Sequence, residues 1–179
     1  MQKDFAIFYG GSMQDEQLKW CLKQKKGINL VEPSENLAAA FLGKSESALR
    51  SMEANANAGI EDWATAAGYY AKYFAVYALL AKLGVKSEIH DCTIAAFKYL
   101  FVDEGIADSG LFEELEDSKK ERIDAQCYSR VAGIDFDKVM ADANKFVTKI
   151  EEIIDGLNSD KMQSLVGKLQ QLIEGEDDG

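Results

Sequence analysis

The stretch from Tyr69 to Tyr77 constrains this chain more than any other. It carries five aromatic rings, Tyr69, Tyr70, Tyr73, Phe74 and Tyr77, and Leu80 and Ala81 continue the series. Steps of three and four residues place such side chains on one side of an α-helix, whereas a strand would need a period of two. Rings at that spacing bury a large apolar area. The stretch is therefore read as the buried seam of a helix over Glu61–Leu83, with Gly84 at its C-terminal stop. Phenolic hydroxyls still need partners inside a protein, so one or two of these tyrosines are expected at a cleft or a subunit contact.

The flanking sequence supplies more helices and little else. Pro33 is the one proline, and Ser34 after it is an expected N-cap for a helix over Glu35–Ala58 carrying Leu37, Phe41, Ala48, Leu49 and Met52. Ser87 is an expected N-cap for a helix to Glu104, with Ile89, Cys92, Ala96, Phe97, Leu100 and Phe101 on its face. A charged helix over Ser109–Tyr128 follows. The stripe from Phe136 to Leu157, within a helix over Asp135–Leu157, is close to heptad spacing, as in antiparallel bundles. These segments predict an all-α, up-and-down antiparallel bundle of four to five main helices over residues 34–157. Residues 1–33 form a lead-in: "DFAIFYGG" (Asp4–Gly11) suits a strand or an arm, and Leu18–Gly27 suits a short basic helix. Residues 158–179 form an amphipathic helix with an acidic tip, which either covers the bundle or binds a partner.

Composition narrows the function classes. At 179 residues, 47% of them hydrophobic and 28% charged, the chain suits one globular domain. No apolar run reaches the roughly 18 residues of a membrane span, and no secretory signal is read at the N-terminus. A net charge of −11 opposes non-specific binding to a polyanion and gives no DNA signal. The cysteines are three and widely spaced, Cys21, Cys92 and Cys127, which predicts reduced thiols and a cytoplasmic protein.

Conventional cofactor motifs are absent. "FLGKSES" (Phe41–Ser47) has the GKS triplet but not the upstream glycine and strand of a phosphate loop. "EELE" (Glu113–Glu116) and the pair Glu151–Glu152 read as solvated helix faces, because a di-iron bundle needs two histidines and this chain has only His90. No metal and no cofactor is expected. His90 and Cys92 are two apart on a helix and point away from each other. Lys19, Lys23, Lys25 and Lys26 make the best local basic patch, either solvated or a contact for phosphates or an acidic partner. His90 falls in the first turn of its helix, where the helix dipole disfavours an imidazolium, so a neutral ring is expected.

"AGYYAKYFAVYALLAKLGVKSEIHDCTIAAFKYLFVDEGI" followed by "KERIDAQCY", with "WCLKQKKGINLVEPSENLAAAFL" ahead of them, resembles the HEPN domain family, closest to an archaeal branch. The likeness spans Trp20 to Leu157. It joins a tyrosine-rich helix, a G-x-x-S-x-x-H turn and an R-I-D-x-Q-x-Y segment in that order. The resemblance implies a dimerising helical bundle, often encoded beside a small nucleotidyltransferase in a toxin–antitoxin-type pair. It also implies, for many members, a metal-independent ribonuclease built on an arginine followed after four to six residues by a histidine. Here the pattern fails. The arginines are Arg50, Arg122 and Arg130, and none stands at that spacing before His90. Arg122 is followed by Gln126, Cys127 and Tyr128 where the histidine would fall.

That departure matters chemically. Metal-free RNA cleavage needs a group that exchanges a proton near neutral pH. Tyrosine titrates near ~10 and arginine stays charged. Arg122 and Tyr128 can grip a phosphate but make a poor acid–base pair unless His90 joins them in space. The first reading is a homodimeric module that binds a nucleotidyltransferase partner, a nucleotide or RNA through Arg122, Gln126, Tyr128, His90 and Tyr70. A divergent ribonuclease with Arg122, Tyr128 and His90 as catalytic candidates is the second. A purely structural helical adaptor is the third.

Overall fold

The computed structural model describes the backbone over residues 11–128 and 135–177 and side chains over residues 16–128 and 135–175. Of the segment Asp4–Gly11, read as a strand or arm, all but Gly11 lies outside these residues, as does Arg130, and Gly11 begins a helix. Seven α-helices occur among them: α1 Gly11–Lys23, α2 Glu35–Asn57, α3 Glu61–Leu83, α4 His90–Phe97, α5 Ser109–Tyr128, α6 Phe136–Gly156 and α7 Ser159–Asp177. The protein is an all-α helical bundle. Two short strands, β1 Asn29–Leu30 and β2 Val85–Lys86, pair antiparallel at one end of it.

Capping residues set several of these ends. Ser34 has extended backbone, and its Oγ accepts from Leu37 N at 3.1 Å. Asp135 does the same for α6, accepting from Lys138 N at 3.2 Å. Gly84 adopts φ +77 at the end of α3, a conformation that penalises any residue with a Cβ. The same glycine lets the chain after β1 pass close by: an added Cβ would lie 2.3 Å from the Val31 carbonyl oxygen.

Helix α3 is the centre of the molecule. The spacing predicted one apolar side, but the helix is buried nearly all round, from Ala64 to Leu83, with Tyr70, Phe74 and Lys82 as the partly exposed exceptions. A helix enclosed in this way must be apolar on every face, and the alanines between the rings supply the small side chains that allow it. Helices α2, α5 and α6 pack along it. Gly68 lies against Met52 of α2. The main core joins Tyr69, Leu79, Leu80 and Leu83 of α3 to Phe97 and Phe101, to Leu115 of α5 and to Phe146 and Ile150 of α6. The tail helix α7 adds Leu165 and Leu169 to this core, so its apolar side covers the bundle.

The helix expected from Ser87 to Glu104 is broken into parts. Ser87 does not cap it. Its Oγ accepts from Ile89 N and donates to Ile89 O, a local turn, and Ile89 occupies the N-cap position without a side-chain cap bond. Helix α4 then runs only to Phe97 and passes into a π-helical turn over Lys98–Val102. His90 is therefore the first helical residue rather than the third after the cap.

The expectation of three reduced thiols is corrected: Cys21 and Cys92 are disulfide-bonded across 71 residues of sequence, and Cys127 alone is free. Two cysteines that far apart carry no spacing signature, since only the packing of α1 on α4 brings them together. The disulfide also removes the ground on which a reducing compartment was expected. Among the described residues no helix is long and apolar enough to cross a membrane. The bond, the β1–β2 ladder and the Glu88 N–H donated to Lys26 O at 2.9 Å tie the lead-in to the chain just before and inside α4. Lys26 also pairs with Glu88 at 3.2 Å, so part of the basic patch serves this junction.

Closing a loop of 71 residues constrains the unfolded chain by about 4 kcal/mol in the chain-entropy treatment. Equilibrium urea unfolding with and without a thiol reductant is expected to show a lower midpoint in the reductant, with the free-energy loss within a factor of two of that figure. Coincident midpoints would show that the bond does not hold the lead-in to α4.

Candidate functional site

The site is assembled from three helices. Helix α3 presents Tyr69, Tyr70 and Tyr73, α4 begins with His90, and α5 brings Arg122. The His90 ring stacks on Tyr73 with centroids 4.2 Å apart and planes 10° from parallel. Its Nδ1 lies 2.7 Å from the Tyr69 hydroxyl. Tyr70 meets it edge-on at 6.2 Å. The imidazole is thus held on three sides by rings that belong to the central helix, and its orientation follows from their packing.

Arg122 closes the cluster from α5. Its guanidinium lies over the Tyr69 ring at 5.2 Å and the Tyr70 ring at 6.0 Å, the face-on geometry that attracts a cation to an aromatic quadrupole. Its Nη1 donates to Gln126 Oε1 at 3.3 Å, and its buried Nε–H has no acceptor among the described residues. No carboxylate among the described residues forms an ion pair with it. One turn earlier, Lys119 is ion-paired with Asp91 beside His90, which fixes α5 against the start of α4. Asp91 is thereby occupied, and among the described residues no carboxylate compensates the Arg122 charge.

These surroundings set the protonation states. His90 titrates below the ordinary imidazole value of 6.5, chiefly because burial penalises the charged ring; Arg122 and Lys119 push the same way and Asp91 pushes back. The sequence reading expected a neutral ring from the helix dipole; desolvation and the neighbouring guanidinium add to it. Burial also pushes the Tyr69 phenol well above its ordinary range, with Tyr73 adding to the shift and Arg122 opposing it. Near neutral pH the cluster therefore holds a neutral imidazole, a protonated phenol and one permanent positive charge.

The structure gathers His90, Arg122, Tyr70 and Gln126 of the residues expected from sequence. Tyr128 is placed apart. It is the last residue of α5, 61% exposed, and six helical positions separate it from Arg122, about 9 Å along the axis and on another face. Tyr69 was missed as a site residue because the spacing placed it in the core, where it is indeed 1% exposed. The available signal was that a buried tyrosine hydroxyl must find a partner, and the lone histidine begins the next helix.

Other candidates fall to structural roles. The GKS triplet lies inside α2, where buried Ser45 donates to Ala71 O at 2.7 Å. Cys92 is in the disulfide, so it offers no thiol to His90. Of the acidic run, Glu114 pairs with the buried Lys72 of α3 at 2.8 Å, and Lys72 also donates to Ser118 Oγ at 2.7 Å.

A tyrosine-rich central helix, a histidine opening the next one and an arginine facing both from the third are what a comparison with protein families has to match. The family model for the HEPN domain matches residues 38–159, most of the chain and all of the cluster. The chain belongs to the HEPN domain family. No curated protein matches it.

As the only histidine, His90 gives a single imidazole signal by NMR. Its titration midpoint is expected below 6.5. Arg122→Gln raises the midpoint by removing a like charge, and Asp91→Asn lowers it further. Because the folded value lies below the unfolded one, stability is fully present above the ordinary value and declines as pH falls from there toward the folded midpoint. A midpoint at or above 6.5, or one indifferent to Arg122→Gln, would contradict the geometry.

Proposed function

We propose that this chain is a HEPN module that binds the phosphate of a nucleotide or of RNA at the Arg122–Tyr69–His90 cluster. The observation that carries the reading is the state of Arg122: a guanidinium oriented by two rings, half-buried, and without a carboxylate partner among the described residues of an acidic chain. A positive charge held in one orientation and left unneutralised is suited to an anion, and a guanidinium matches phosphate geometry. His90 adds a hydrogen-bonding nitrogen at the same place, and Tyr70 offers a partly exposed ring. The overall charge of −11 confines such binding to this local site.

Family membership supports two wider features. One is pairing of two copies of the chain, which would set two clusters in one assembly. The other is a small nucleotidyltransferase as partner in a toxin–antitoxin-type pair. The chain would then meet nucleotide or RNA as the object that the pair controls.

A second reading, a metal-independent ribonuclease, is favoured by the bond between His90 and Tyr69 and by the nearness of the Arg122 charge. Arg122 and His90 share the Tyr69 ring as a neighbour, which supports an arginine and a histidine acting together although the family's sequence spacing is absent. With Nδ1 engaged by the Tyr69 hydroxyl, Nε2 of the neutral ring takes the proton of a ribose 2′-hydroxyl as its oxygen bonds to phosphorus, the guanidinium stabilises charge on the phosphorane, and the imidazolium returns the proton to the departing 5′-oxygen. Tyr128 has no part in this version.

Two assays check these readings. In titration with a fluorescent adenosine monophosphate analogue, Arg122→Gln is expected to weaken binding at least about tenfold, the loss of one charge-assisted contact, while Tyr128→Phe binds like the unaltered protein. No binding by the unaltered protein would remove the first reading. In incubation with labelled RNA in the presence of a chelator, cleavage abolished by His90→Gln supports the second reading, and no cleavage by the unaltered protein removes it.

A further inference from the structure

Beyond the cluster, the half-buried rings of α3 continue without a break. Tyr70 stacks with Phe74 at 5.7 Å and 24°. Phe74 meets Phe41 of α2 at 6.0 Å. Lys44, one turn along α2 and exposed, stands over the Phe41 ring at 4.6 Å and over Phe74 at 5.6 Å. A row of three partly exposed rings thus runs between two cations, Arg122 over Tyr70 at one end and Lys44 over Phe41 and Phe74 at the other. Neither cation forms an ion pair with a carboxylate among the described residues, although the chain carries 31 acidic residues. Aromatic faces alternating with unneutralised charge are how proteins hold single-stranded nucleic acid: bases stack on rings of any sequence while the charges follow the backbone.

From this row we infer that the site is longer than one nucleotide: Tyr70, Phe74 and Phe41 form a stacking track that leads from Arg122 to a second phosphate contact at Lys44, and its ligand is a single-stranded oligonucleotide. The inference rests on the phosphate-binding reading above and adds to it the length of the ligand. One end of the strand places a phosphate at Arg122, bases lie along the three rings, and a phosphate further along the strand reaches Lys44. The GKS triplet then has a use unlike a phosphate loop, with its lysine on a helix surface beside rings. The track also accounts for the exposure of Tyr70 and Phe74 on a helix otherwise enclosed.

The test compares two probes on the full chain by fluorescence anisotropy: a labelled adenosine monophosphate and a labelled oligoadenylate of about a dozen nucleotides. The oligonucleotide is expected to bind at least about tenfold more tightly than the mononucleotide. Lys44→Gln, an exposed change that leaves packing intact, lowers oligonucleotide affinity several-fold and flattens its log–log salt dependence by about 0.7, the release of one counterion contact on a single strand. It leaves the mononucleotide affinity unchanged. Phe74→Leu, which keeps an apolar side chain of similar bulk without a π face, weakens the oligonucleotide at least about fivefold. If both probes bind equally and Lys44→Gln changes nothing, the track is refuted and the single-phosphate reading stands. If neither probe binds, that reading fails and the track with it. If Phe74→Leu dissociates a dimer while oligonucleotide affinity is unaltered, the rings are a contact between copies of the chain and the inference is overturned.

Discussion

Enclosure of α3 is the constraint from which the rest follows. A helix wrapped by neighbours on nearly every side cannot send polar atoms to water, and each polar atom it carries must be met from within. Tyr69 is met by His90, Tyr73 by Thr93 Oγ1 at 3.3 Å, and Lys72 by Ser118 and Glu114. The first two partners lie on α4 and the last two on α5. Satisfying the centre of the protein therefore fixes the register of two neighbouring helices against it. The candidate site is a by-product of that satisfaction carried to the surface: the same hydroxyl that needs a partner in the core orients an imidazole at its edge.

The chemistry of the cluster follows from unequal pairing. Lys119 is consumed by Asp91, and Lys72 by Glu114 and Ser118. Among the described residues Arg122 receives only aromatic faces and one amide oxygen. Rings attract a cation without cancelling its charge, so the guanidinium is held in place and remains available electrostatically. A carboxylate in the same position would have stabilised the fold and abolished the field. The clasp formed by Cys21–Cys92 and the β1–β2 ladder supports the arrangement, since it grips the chain two residues after His90 and four residues before it.

Much of this was legible in the sequence. Apolar periodicity gave α2, α3, α5 and α6 with ends near Ser34, Gly84 and Asp135, because capping residues and a positive-φ glycine act locally and leave local marks. The HEPN resemblance, read from the tyrosine helix and the R-I-D-x-Q-x-Y segment, was met by the family match. Non-local features were illegible. Burial of α3 on all sides depends on how many helices surround it, which alanine spacing alone does not state. The disulfide joins residues with no common pattern. The break of α4 into a π-helical turn and the displacement of its cap from Ser87 to Ile89 left no mark in the apolar spacing. At the site, sequence spacing selected Tyr128 as the neighbour of Arg122, while three-dimensional packing supplied Tyr69 from a different helix.

The central claim is that the core and the site share one contact, the Tyr69 hydroxyl on His90 Nδ1. A double-mutant cycle of Tyr69→Phe and His90→Asn, read as unfolding free energy in urea, measures it most directly. A shared contact predicts a coupling of about 1 kcal/mol, with Tyr69→Phe costly on its own because it strands a part-buried ring nitrogen. Strict additivity, with Tyr69→Phe neutral, would mean that the histidine is held by something else and that the site does not grow out of the core.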